Sequence, residues 1–155
     1  MEVAIGPALV REAEEILKLQ YLCYQAEAAL YDDYALPPLT QTLADLLAGY
    51  DTHAILVARL GGAVVGSASG RMVGDTCHIG RLIVHPRLQR RGLGTRLLRA
   101  IEGHFHTAAR YALFTGHRSE GNLRLYSALG YGRVREEAIA PHLRLVHLER
   151  PGAPP

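Results

Sequence analysis

The sequence is poor in cysteine and contains no long apolar run. Cys23 and Cys77 are the only two cysteines, and without a Cys-x-x-Cys pair they indicate neither a disulfide framework nor a zinc site. We expect both to be buried thiols in a reducing compartment. No stretch approaches the roughly 18 apolar residues that span a bilayer, and no basic segment followed by an apolar run opens the chain. These absences predict a cytoplasmic protein with no membrane contact and no metal.

Lysine and net charge are scarce as well. Lys18 is the only lysine, which excludes the Gly-x-x-x-x-Gly-Lys-Ser/Thr loop that binds nucleotide phosphates. The formal net charge is only +2 at pH 7, whereas a general nucleic-acid-binding protein carries a large positive excess. Arginines nevertheless cluster along one segment, at Arg87, Arg90, Arg91, Arg96 and Arg99. This patch favours a small polyanion over a nucleic acid, whose binding would depend steeply on salt.

The length of 155 residues suits one domain. We assign it to residues 1–150, with residues 151–155 as a disordered tail. In the first half, a helix with apolar residues at helical spacing must be interrupted by Pro37-Pro38, because proline lacks a backbone donor. Gly61-Gly62 permits the positive φ angles of a hairpin turn. The predicted elements are an edge strand at 3–5, a helix running from about 9 through 30, a helix at 42–48, and strands at 53–60 and 63–72.

The second half alternates strands and helices. A strand at 76–84 is apolar enough for burial on both faces, which places it at the centre of the sheet. The helix at 92–104 crosses over to a strand at 111–115, so these two strands are predicted to be parallel. A helix at 120–129 and strands at 131–137 and 142–148 follow. In the helix at 92–104 we predict that Leu93, Leu97, Leu98 and Ile101 are buried and that Arg96, Arg99 and Glu102 face solvent.

The turn between the central strand and this helix is suited to an anion. Gly92 and Gly94 remove side chains where a ligand must approach the backbone, and the first N–H groups of a helix point outward. A dinucleotide-binding Gly-x-Gly-x-x-Gly loop is excluded, because Leu97 occupies the place of the third glycine. A diphosphate is the predicted ligand.

Two motifs in order carry a resemblance to a known family. Gln89-Arg90-Arg91-Gly92-Leu93-Gly94 matches the pattern Gln/Arg-x-x-Gly-x-Gly/Ala, and the segment from Asn122 to Gly130-Tyr131 matches Asn-x-x-x-Tyr-x-x-x-Gly-Phe/Tyr. The chain thus resembles the GNAT superfamily of N-acyltransferases. The resemblance implies an α/β (α+β) fold with a mixed, mostly antiparallel central sheet, a splayed parallel strand pair and flanking helices.

The resemblance also implies acetyl-CoA as cosubstrate. The pantetheine arm would lie between the strands 79–84 and 111–115, and the diphosphate would rest on the amides of residues 90–95. The residues expected to bind the cofactor are Leu82, Ile83, Val84, Gln89, Arg90, Arg91, Gly92, Leu93, Gly94, Thr95, Asn122 and Tyr126.

The same resemblance suggests catalytic roles. Tyr126 corresponds to the family tyrosine that protonates the leaving thiolate, although it also lies on an apolar helical stripe and could serve packing alone. Asn122 could cap its helix, bind the cofactor or do both. Many relatives carry a glutamate as general base at the place of Gly80. His78, which has the same strand parity, and His117 are candidate bases, and a water chain without a single base is the alternative.

The sequence indicates the acceptor-binding site less clearly than the cofactor site. The segment 21–39 corresponds to the variable acceptor wall of similar folds, and its carboxylates could attract a cationic amine; a solvated acidic helix end with aromatic core residues is the alternative. Its candidate residues are Tyr24, Glu27, Tyr31, Asp32, Asp33 and Tyr34. Polyamine, amino acid, aminoglycoside and protein N-terminus all stay open as acceptors.

The predicted function is direct transfer of the acetyl group of acetyl-CoA to a primary amine of a small molecule or peptide. Direct transfer is favoured because neither cysteine lies in the two motifs. The alternative is a noncatalytic acyl-CoA-binding or sensing module, which the missing strand glutamate supports. Similar domains are frequently homodimers, and the resemblance extends that possibility to this chain.

Overall fold

The computed structural model describes residues 2–153. Seven strands form one sheet in the order β1-β2-β3-β4-β5-β7-β6. The strands are β1 (Ala4–Pro7), β2 (Ala54–Leu60), β3 (Ala63–Val73), β4 (Thr76–Val84), β5 (Arg110–Gly116), β6 (Gly132–Ala140) and β7 (Leu143–Pro151). The helices are α1 (Ala13–Tyr31), α2 (Pro37–Thr40), α3 (Leu43–Gly49), α4 (Leu93–His104) and α5 (Glu120–Ala128), with 3-10 turns at Val10–Glu12 and Pro86–Leu88.

The sheet is mixed, as predicted. β4 and β5 pair in parallel, joined by α4 as the crossover, and the other neighbouring strands pair antiparallel. The hairpin of β2 and β3 turns at Gly61-Gly62, where both residues have positive φ angles of 58° and 85°. β1 lies at one edge and β4 in the middle of the strand order. The expected fold class is therefore confirmed.

The first helix ends before the prolines. Asp32 adopts a left-handed φ of 50°, and the Asp33 amide donates to the Ala28 carbonyl at 2.9 Å. A left-handed residue of this kind closes a helix by satisfying its last carbonyls. Pro37 and Pro38 instead begin α2, where a first-turn residue has no N–H bond to lose. The interruption therefore comes from Asp32 and not, as predicted, from the prolines.

Helices cover both faces of the sheet. On one face, α4 and α5 pack onto the strands around Leu97, Leu98 and Ile101, which are fully buried. On the other face, α1 and α3 pack through Ile16 and Leu46. The predicted buried stripe of α4 is thus confirmed, and each face of the sheet has its own apolar cluster.

Glu102 corrects one prediction, because it is buried and does not face solvent. Its carboxylate accepts a hydrogen bond from the Tyr131 hydroxyl at 2.6 Å and from Arg99 at 2.7 Å, with Arg150 at 3.3 Å. A buried carboxylate persists only when paired in this way. Tyr131 and Arg150 come from distant segments, so the periodicity of α4 could not reveal them.

The last strand extends to Pro151, the first residue of the predicted tail. Pro151 pairs with Arg110, and the Gly152 amide donates to the Ala109 carbonyl at 2.8 Å. These backbone bonds hold the start of the segment, while residues 154–155 of the predicted tail lie outside the described residues. No helix within residues 2–153 is long and apolar enough to cross a membrane.

Candidate active site

β4 and β5 separate after three residue pairs. Their register ends at His78 opposite Ala112. Beyond that point β4 follows β3 as far as Val84, and β5 follows β7 as far as Gly116. The facing backbone edges of residues 79–84 and 113–116 therefore have no strand partner. We call this space the strand gap; an extended ligand can lie in it and use the free backbone groups as an additional strand would.

A bulge in β4 lies at the start of the strand gap. Ser69 of β3 pairs with Gly80, but Ser67 pairs with Ile83, so two residues of β4 oppose one of β3. Arg81, in the bulge, has a left-handed φ of 52°. Bulges bend a strand and redirect its side chains. The bulge was not predicted, although the isolated Gly80 within the strand is a local signal for it.

The turn before α4 presents free amides. Gly92 has a φ of 80° and Arg90 a φ of 64°, and α4 begins directly afterwards. The amides of Leu93, Gly94 and Thr95 donate to no acceptor in the described chain. Left-handed residues followed by a helix N-terminus direct successive N–H groups and the positive end of the dipole toward one point. This geometry fits a diphosphate, the predicted ligand.

The predicted basic patch divides into two groups. Arg96 donates to the Val3 carbonyl at 2.8 Å, and Arg99 donates to Glu102 and to the Leu129 carbonyl. These two side chains connect α4 to other elements and do not face the turn as free cations. Within this patch, the exposed arginines without a side-chain partner among residues 2–153 are Arg87, Arg90 and Arg91.

The predicted backbone donors lie along the strand gap. Leu82, Ile83 and Val84 follow the last β4–β5 pair. The Val84 carbonyl accepts hydrogen bonds from Gln89 Nε2 at 3.2 Å and from Cys23 Sγ at 3.3 Å. The Gln89 side chain, expected at the diphosphate, thus contacts the end of β4.

Tyr126 of α5 is buried, with one polar atom free. Its hydroxyl has no hydrogen-bond partner. Because every fully buried side-chain polar atom of the described residues does have one, the Tyr126 hydroxyl is not fully buried and keeps some contact with solvent. Burial, with Tyr24 and Glu27 nearby, raises the pKa of Tyr126 above its ordinary value. The phenol is therefore protonated near neutral pH and available as a donor.

Asn122 does not cap α5, and that part of the prediction was wrong. The helix begins at Glu120 with Ser119 in the cap position, and Asn122 lies within the first turn. Its side-chain amide donates to Thr115 Oγ1 of β5 at 3.1 Å. Asn122 thus connects α5 to the end of the strand that borders the strand gap.

The second half of α1 runs past the ends of β4 and β5. Cys23 contacts Val84, as described, while the Tyr31 hydroxyl lies 2.8 Å from Ser119 Oγ and accepts from the Arg118 amide at 2.9 Å. Ser119 Oγ also lies 2.6 Å from Glu27 Oε2. Helix α1 therefore connects both sides of the strand gap, a placement that its sequence alone did not indicate.

Both cysteines are free thiols. Cys77 is buried, as predicted, whereas Cys23 is only half-buried. Burial raises the pKa of each thiol to about 11. Although Cys23 lies beside the strand gap, it is protonated near neutral pH and is a poor nucleophile there.

A cleft of about 360 Å³ opens on the α1 and α3 face, between these helices and the strands β2 to β5. It includes residues from both borders of the strand gap, Gly80 and Arg81 from β4 and Phe114 from β5. A side chain added at Gly80 would meet no atom within 4 Å. The cleft thus reaches the strand gap from the face opposite Tyr126, and it has room in front of Gly80.

The structure separates the two candidate bases. His78 lines the cleft on the same strand as Gly80 and pairs across the sheet with Arg71. His117 follows the border of the strand gap but does not line the cleft: its Nδ1 accepts from the Arg144 amide at 2.9 Å, with the Arg144 carbonyl at 3.2 Å. In the tautomer in which Nδ1 accepts this bond, the proton is on Nε2 and the ring has no free lone pair for a substrate.

Two cleft residues were missed by sequence reasoning. His53, at the start of β2, lines the cleft, and burial together with Arg71 and Arg81 lowers its pKa. Arg71 could have been found from the hairpin register, which pairs it with His78. Among the described residues, no group of three or more His, Cys, Asp and Glu side chains has metal-binding geometry.

The candidate acceptor residues of segment 21–39 lie in different surroundings. Tyr24, Glu27 and Tyr31 lie near the strand gap, whereas Asp33 contacts His142 at 2.9 Å. That hydrogen bond lowers the pKa of Asp33. Asp32 closes α1, and Tyr34 is exposed. None of the six candidate residues of this segment lines the cleft.

Solved structures share this arrangement of strands. The ribosomal-protein-S18-alanine N-acetyltransferase from Escherichia coli superposes with a TM-score of 0.81 at 14% identity, covering 99% of this chain and 96% of that one. The PaiA N-acetyltransferase from Thermoplasma acidophilum, in complex with coenzyme A, gives 0.80 at 13% identity, with coverages of 97% and 99%. YncA from Salmonella typhimurium, with acetyl-CoA, gives 0.77 at 20% identity, with coverages of 100% and 98%. These identities show a common fold alone.

A curated relative is similar in sequence over most of the chain. The UPF0157 protein YqkA from Bacillus subtilis is 27% identical over 133 residues, which is 86% of this chain. The chain spans 38% of the length of that relative.

The family assignment rests on a family model that matches most of the chain. The model described as "Acetyltransferase (GNAT) family" matches residues 13–131, from the start of α1 to the Tyr131 that ends the second motif. The strand gap, the free amides of α4 and the two motifs all lie within this match or border it. The chain therefore belongs to the acetyltransferase (GNAT) family.

Proposed function

We propose that this protein is an N-acetyltransferase that moves the acetyl group of acetyl-CoA directly to a primary amine. The observation that carries the proposal is the strand gap together with the free amides of Leu93, Gly94 and Thr95 at one of its ends. A gap edged by unpaired backbone suits the amide-containing pantetheine arm, and the amides suit the diphosphate. The coenzyme A complexes of two structural neighbours support this choice of donor.

The donor is held mostly by main chain. The backbone of Leu82, Ile83 and Val84 would hold pantetheine and the thioester oxygen, and the turn from Gln89 to Thr95 would hold the diphosphate. Backbone donors that are already in position lose no reorganisation energy as charge develops on the oxygen. Asn122 and the exposed Arg90 and Arg91 supply side-chain contacts around the same groups.

The reaction needs two proton transfers, and we assign one to each face of the sheet. An amine entering from the cleft attacks the thioester carbon, which forms the C–N bond and then breaks the C–S bond. The nitrogen must lose a proton, and His78, which lines the cleft, is the proposed acceptor of that proton, directly or through water. The departing sulfur must gain one, and Tyr126, on the opposite face, is the proposed general acid.

No covalent acetyl-enzyme is needed in this scheme. The only thiol near the strand gap, Cys23, has its pKa raised by burial to about 11, so little thiolate is present near neutral pH. The amine itself is the nucleophile, and the free energy for orienting it comes from binding in the cleft.

The proposal is tested by mixing the protein with acetyl-CoA and a panel of amines. Free thiol release and the mass of the acetylated amine are followed together. Equal amounts of thiol and acetylated amine are expected for at least one amine, and thiol release without acetylated amine would contradict the proposal. His78→Ala is expected to move the acidic limb of the pH–rate profile, whereas His117→Ala leaves it in place.

The alternative is an acyl-CoA-binding or sensing module without turnover. It is favoured by Gly80, which leaves open space where relatives carry a carboxylate. A calorimetric titration that shows tight acetyl-CoA binding, with no acetylated product from any amine in the panel, would favour this alternative.

A homodimer and a cytoplasmic location are further parts of the proposal. β6 is exposed along nearly its whole length and forms an unprotected edge of the sheet. Such an edge can pair with a second copy. Light scattering coupled to gel filtration distinguishes monomer from dimer.

A further inference from the structure

The arginines of this chain fall into two classes. Seven of them lie within ion-pair distance of a carboxylate: Arg59, Arg99, Arg110, Arg124, Arg135, Arg144 and Arg150. Arg96 donates to a backbone carbonyl instead. The remaining ones have no carboxylate partner within residues 2–153. Three of them surround the turn before α4, where an anion is expected, and two others, Arg71 and Arg81, line the cleft.

The cleft has a positive wall and no negative one. Arg71 and Arg81 lie near His53 and His78, and the other polar lining side chains are the uncharged Gln20, Gln41, Ser67 and Ser69. No Asp or Glu among the described residues lines it. Two carboxylates of α1 lie outside the lining and have partners of their own: Glu15 accepts from the Val64 amide, and Glu27 accepts from Ser119 Oγ. The lowered pKa of His53, caused by burial and then by the two arginines, is consistent with this positive field.

The volume of the cleft limits the size of the ligand that it can hold. About 360 Å³ lies at the small end of ligand sites. Ile55, Ile79 and Ile83 form apolar parts of the lining, and Phe114 of β5 stands at the far border of the strand gap. The cleft therefore combines an anion-binding side with a limited apolar surface.

We propose that the acceptor is a small amine that also carries a carboxylate, of the amino-acid class, and that Arg71 and Arg81 bind this carboxylate. The proposal rests on the proposed acetyl transfer and narrows its acceptor. Guanidinium groups bind carboxylates through paired, charge-assisted hydrogen bonds. Arg81 lies in the bulge at the start of the strand gap, so a carboxylate held there leaves an α-amino group, one carbon away, close to the thioester. A polyamine would meet two cations that have no carboxylate partner within residues 2–153 and would be repelled.

The test compares amino acids with their own C-terminal amides, and both with spermidine. Each pair has the same body and the same amino group and differs in one negative charge. The amide has the less basic amine, so it supplies more neutral nucleophile and would react faster if charge did not matter. The proposal predicts that kcat/KM is higher for the amino acid in spite of this.

Three variants test whether the preference for the amino acid over its amide comes from the cleft. Arg71→Gln and Arg81→Gln are expected to lower kcat/KM for the preferred amino acid about tenfold or more, the loss of one charge-assisted contact. Neither variant should change kcat/KM for the amide or the affinity for acetyl-CoA. Arg133→Gln, which removes an exposed arginine outside the cleft, is the matched control and should change nothing.

A binding measurement keeps this inference separate from the proposed catalysis. Amino acids and amides are titrated by calorimetry into the protein saturated with coenzyme A. Preferential binding of the carboxylate form that is lost in Arg71→Gln supports the inference even if no acetylated product forms, an outcome that would contradict only the proposed transfer. The inference would be overturned if amides or spermidine were bound and acetylated as well as amino acids or better. It would also be overturned if no amino acid were bound or acetylated.

Discussion

Tyr126 and Tyr131 both belong to the second motif and lie close together in space, but their hydroxyl groups have different surroundings. Their rings lie 6.2 Å apart. The Tyr131 hydroxyl is tied to the buried Glu102 carboxylate at 2.6 Å, while the Tyr126 hydroxyl has no partner in the described chain. Removing each hydroxyl therefore tests a different property of the protein.

Tyr126→Phe is expected to lower kcat by about 100-fold or more, because a positioned general acid contributes that much. The affinity for acetyl-CoA should stay nearly unchanged. Because the hydroxyl makes no protein hydrogen bond, the free energy of unfolding should change by less than about 0.5 kcal/mol. Steady-state kinetics, calorimetry and urea unfolding measure the three quantities, and unchanged turnover would remove Tyr126 from the mechanism.

Tyr131→Phe is the matched control. It removes a buried donor to a carboxylate, so it should lower the free energy of unfolding by about 1–3 kcal/mol. Its kcat, measured well below the unfolding transition, should equal that of the wild type. A large kcat loss here would mean that the aromatic pair acts as one unit.

Cys23→Ser is expected to keep wild-type turnover. The thiol lies at the strand gap, but its raised pKa of about 11 leaves it protonated at neutral pH. Intact mass after a short reaction with acetyl-CoA should show no acetylated protein. A loss of turnover together with an acetyl group on Cys23 of the wild type would require a covalent intermediate.

At the scale of elements, the turn before α4 depends on Gly92. Gly92→Leu is expected to abolish acetyl-CoA binding, since a side chain would enter the space of the diphosphate. Gly92 has a φ of 80° with no atom within 4 Å of an added Cβ, so the fold should survive. The left-handed conformation makes a side chain there cost about 1–2 kcal/mol in stability.

Gly74→Leu is the control for that strain. Gly74, in the turn between β3 and β4, has a φ of 61° and equally open surroundings, but it lies away from the turn before α4. It should lose similar stability and bind acetyl-CoA normally by calorimetry. Retained binding in Gly92→Leu would show that the diphosphate does not use this turn.

The start of α1 is fixed to β2 by an ion pair. Glu12 accepts from Arg59 Nε at 2.7 Å and Nη2 at 2.6 Å, and from the Leu9 amide at 2.7 Å. Glu12→Gln should lower the free energy of unfolding by about 1–3 kcal/mol at pH 7. The hydrogen bond from Arg59 lowers the pKa of Glu12 below 4.5. Its contribution is therefore complete above pH 4.5 and is lost as the pH falls through the lowered value.

The pH dependence is measured by urea unfolding between pH 7 and pH 3. The wild type should lose stability below pH 4.5 more steeply than Glu12→Gln, because only the wild type has this carboxylate to protonate. Parallel curves for the two proteins would contradict the assigned role of the pair.

Elements formed by local patterns were predictable, and those that depend on distant partners were not. The Gly61-Gly62 hairpin and the buried stripe of α4 follow from turn chemistry and helical spacing. The burial of Glu102 depends on Tyr131 and Arg150, which only the folded chain brings near. The bulge at Arg81 has one local signal, the isolated Gly80 inside the strand, but that glycine alone does not show where the register shifts.

At the scale of the whole molecule, the strand gap is bordered by different groups on the two faces of the sheet. Tyr126 approaches the strand gap from the α4 and α5 face, and the cleft with His78 approaches it from the α1 and α3 face. A thioester held in the gap can therefore receive the amine on one side and a proton on the other. The opening of the sheet between β4 and β5 makes this division possible.

The turn before α4 could be recognised in the sequence, whereas the cleft could not, for a topological reason. The turn before α4 is a single contiguous segment, so its glycines and following helix are visible in sequence. The cleft takes its residues from α1, α3 and four strands. Arg71 and His53 meet there only after the sheet has formed, so the sequence did not bring them together and offered only the contiguous segment 21–39 as a candidate acceptor wall.

Hydrogen–deuterium exchange with and without saturating acetyl-CoA tests the central claim most directly. The amides of Leu93, Gly94 and Thr95 and the unpaired edge of residues 79–84 have no protein acceptor to protect them. Acetyl-CoA is predicted to slow exchange at these positions and to leave the exposed strand β6 unchanged. Unchanged exchange at the turn and along the strand gap, under conditions where acetyl-CoA binding is saturated, would contradict the account.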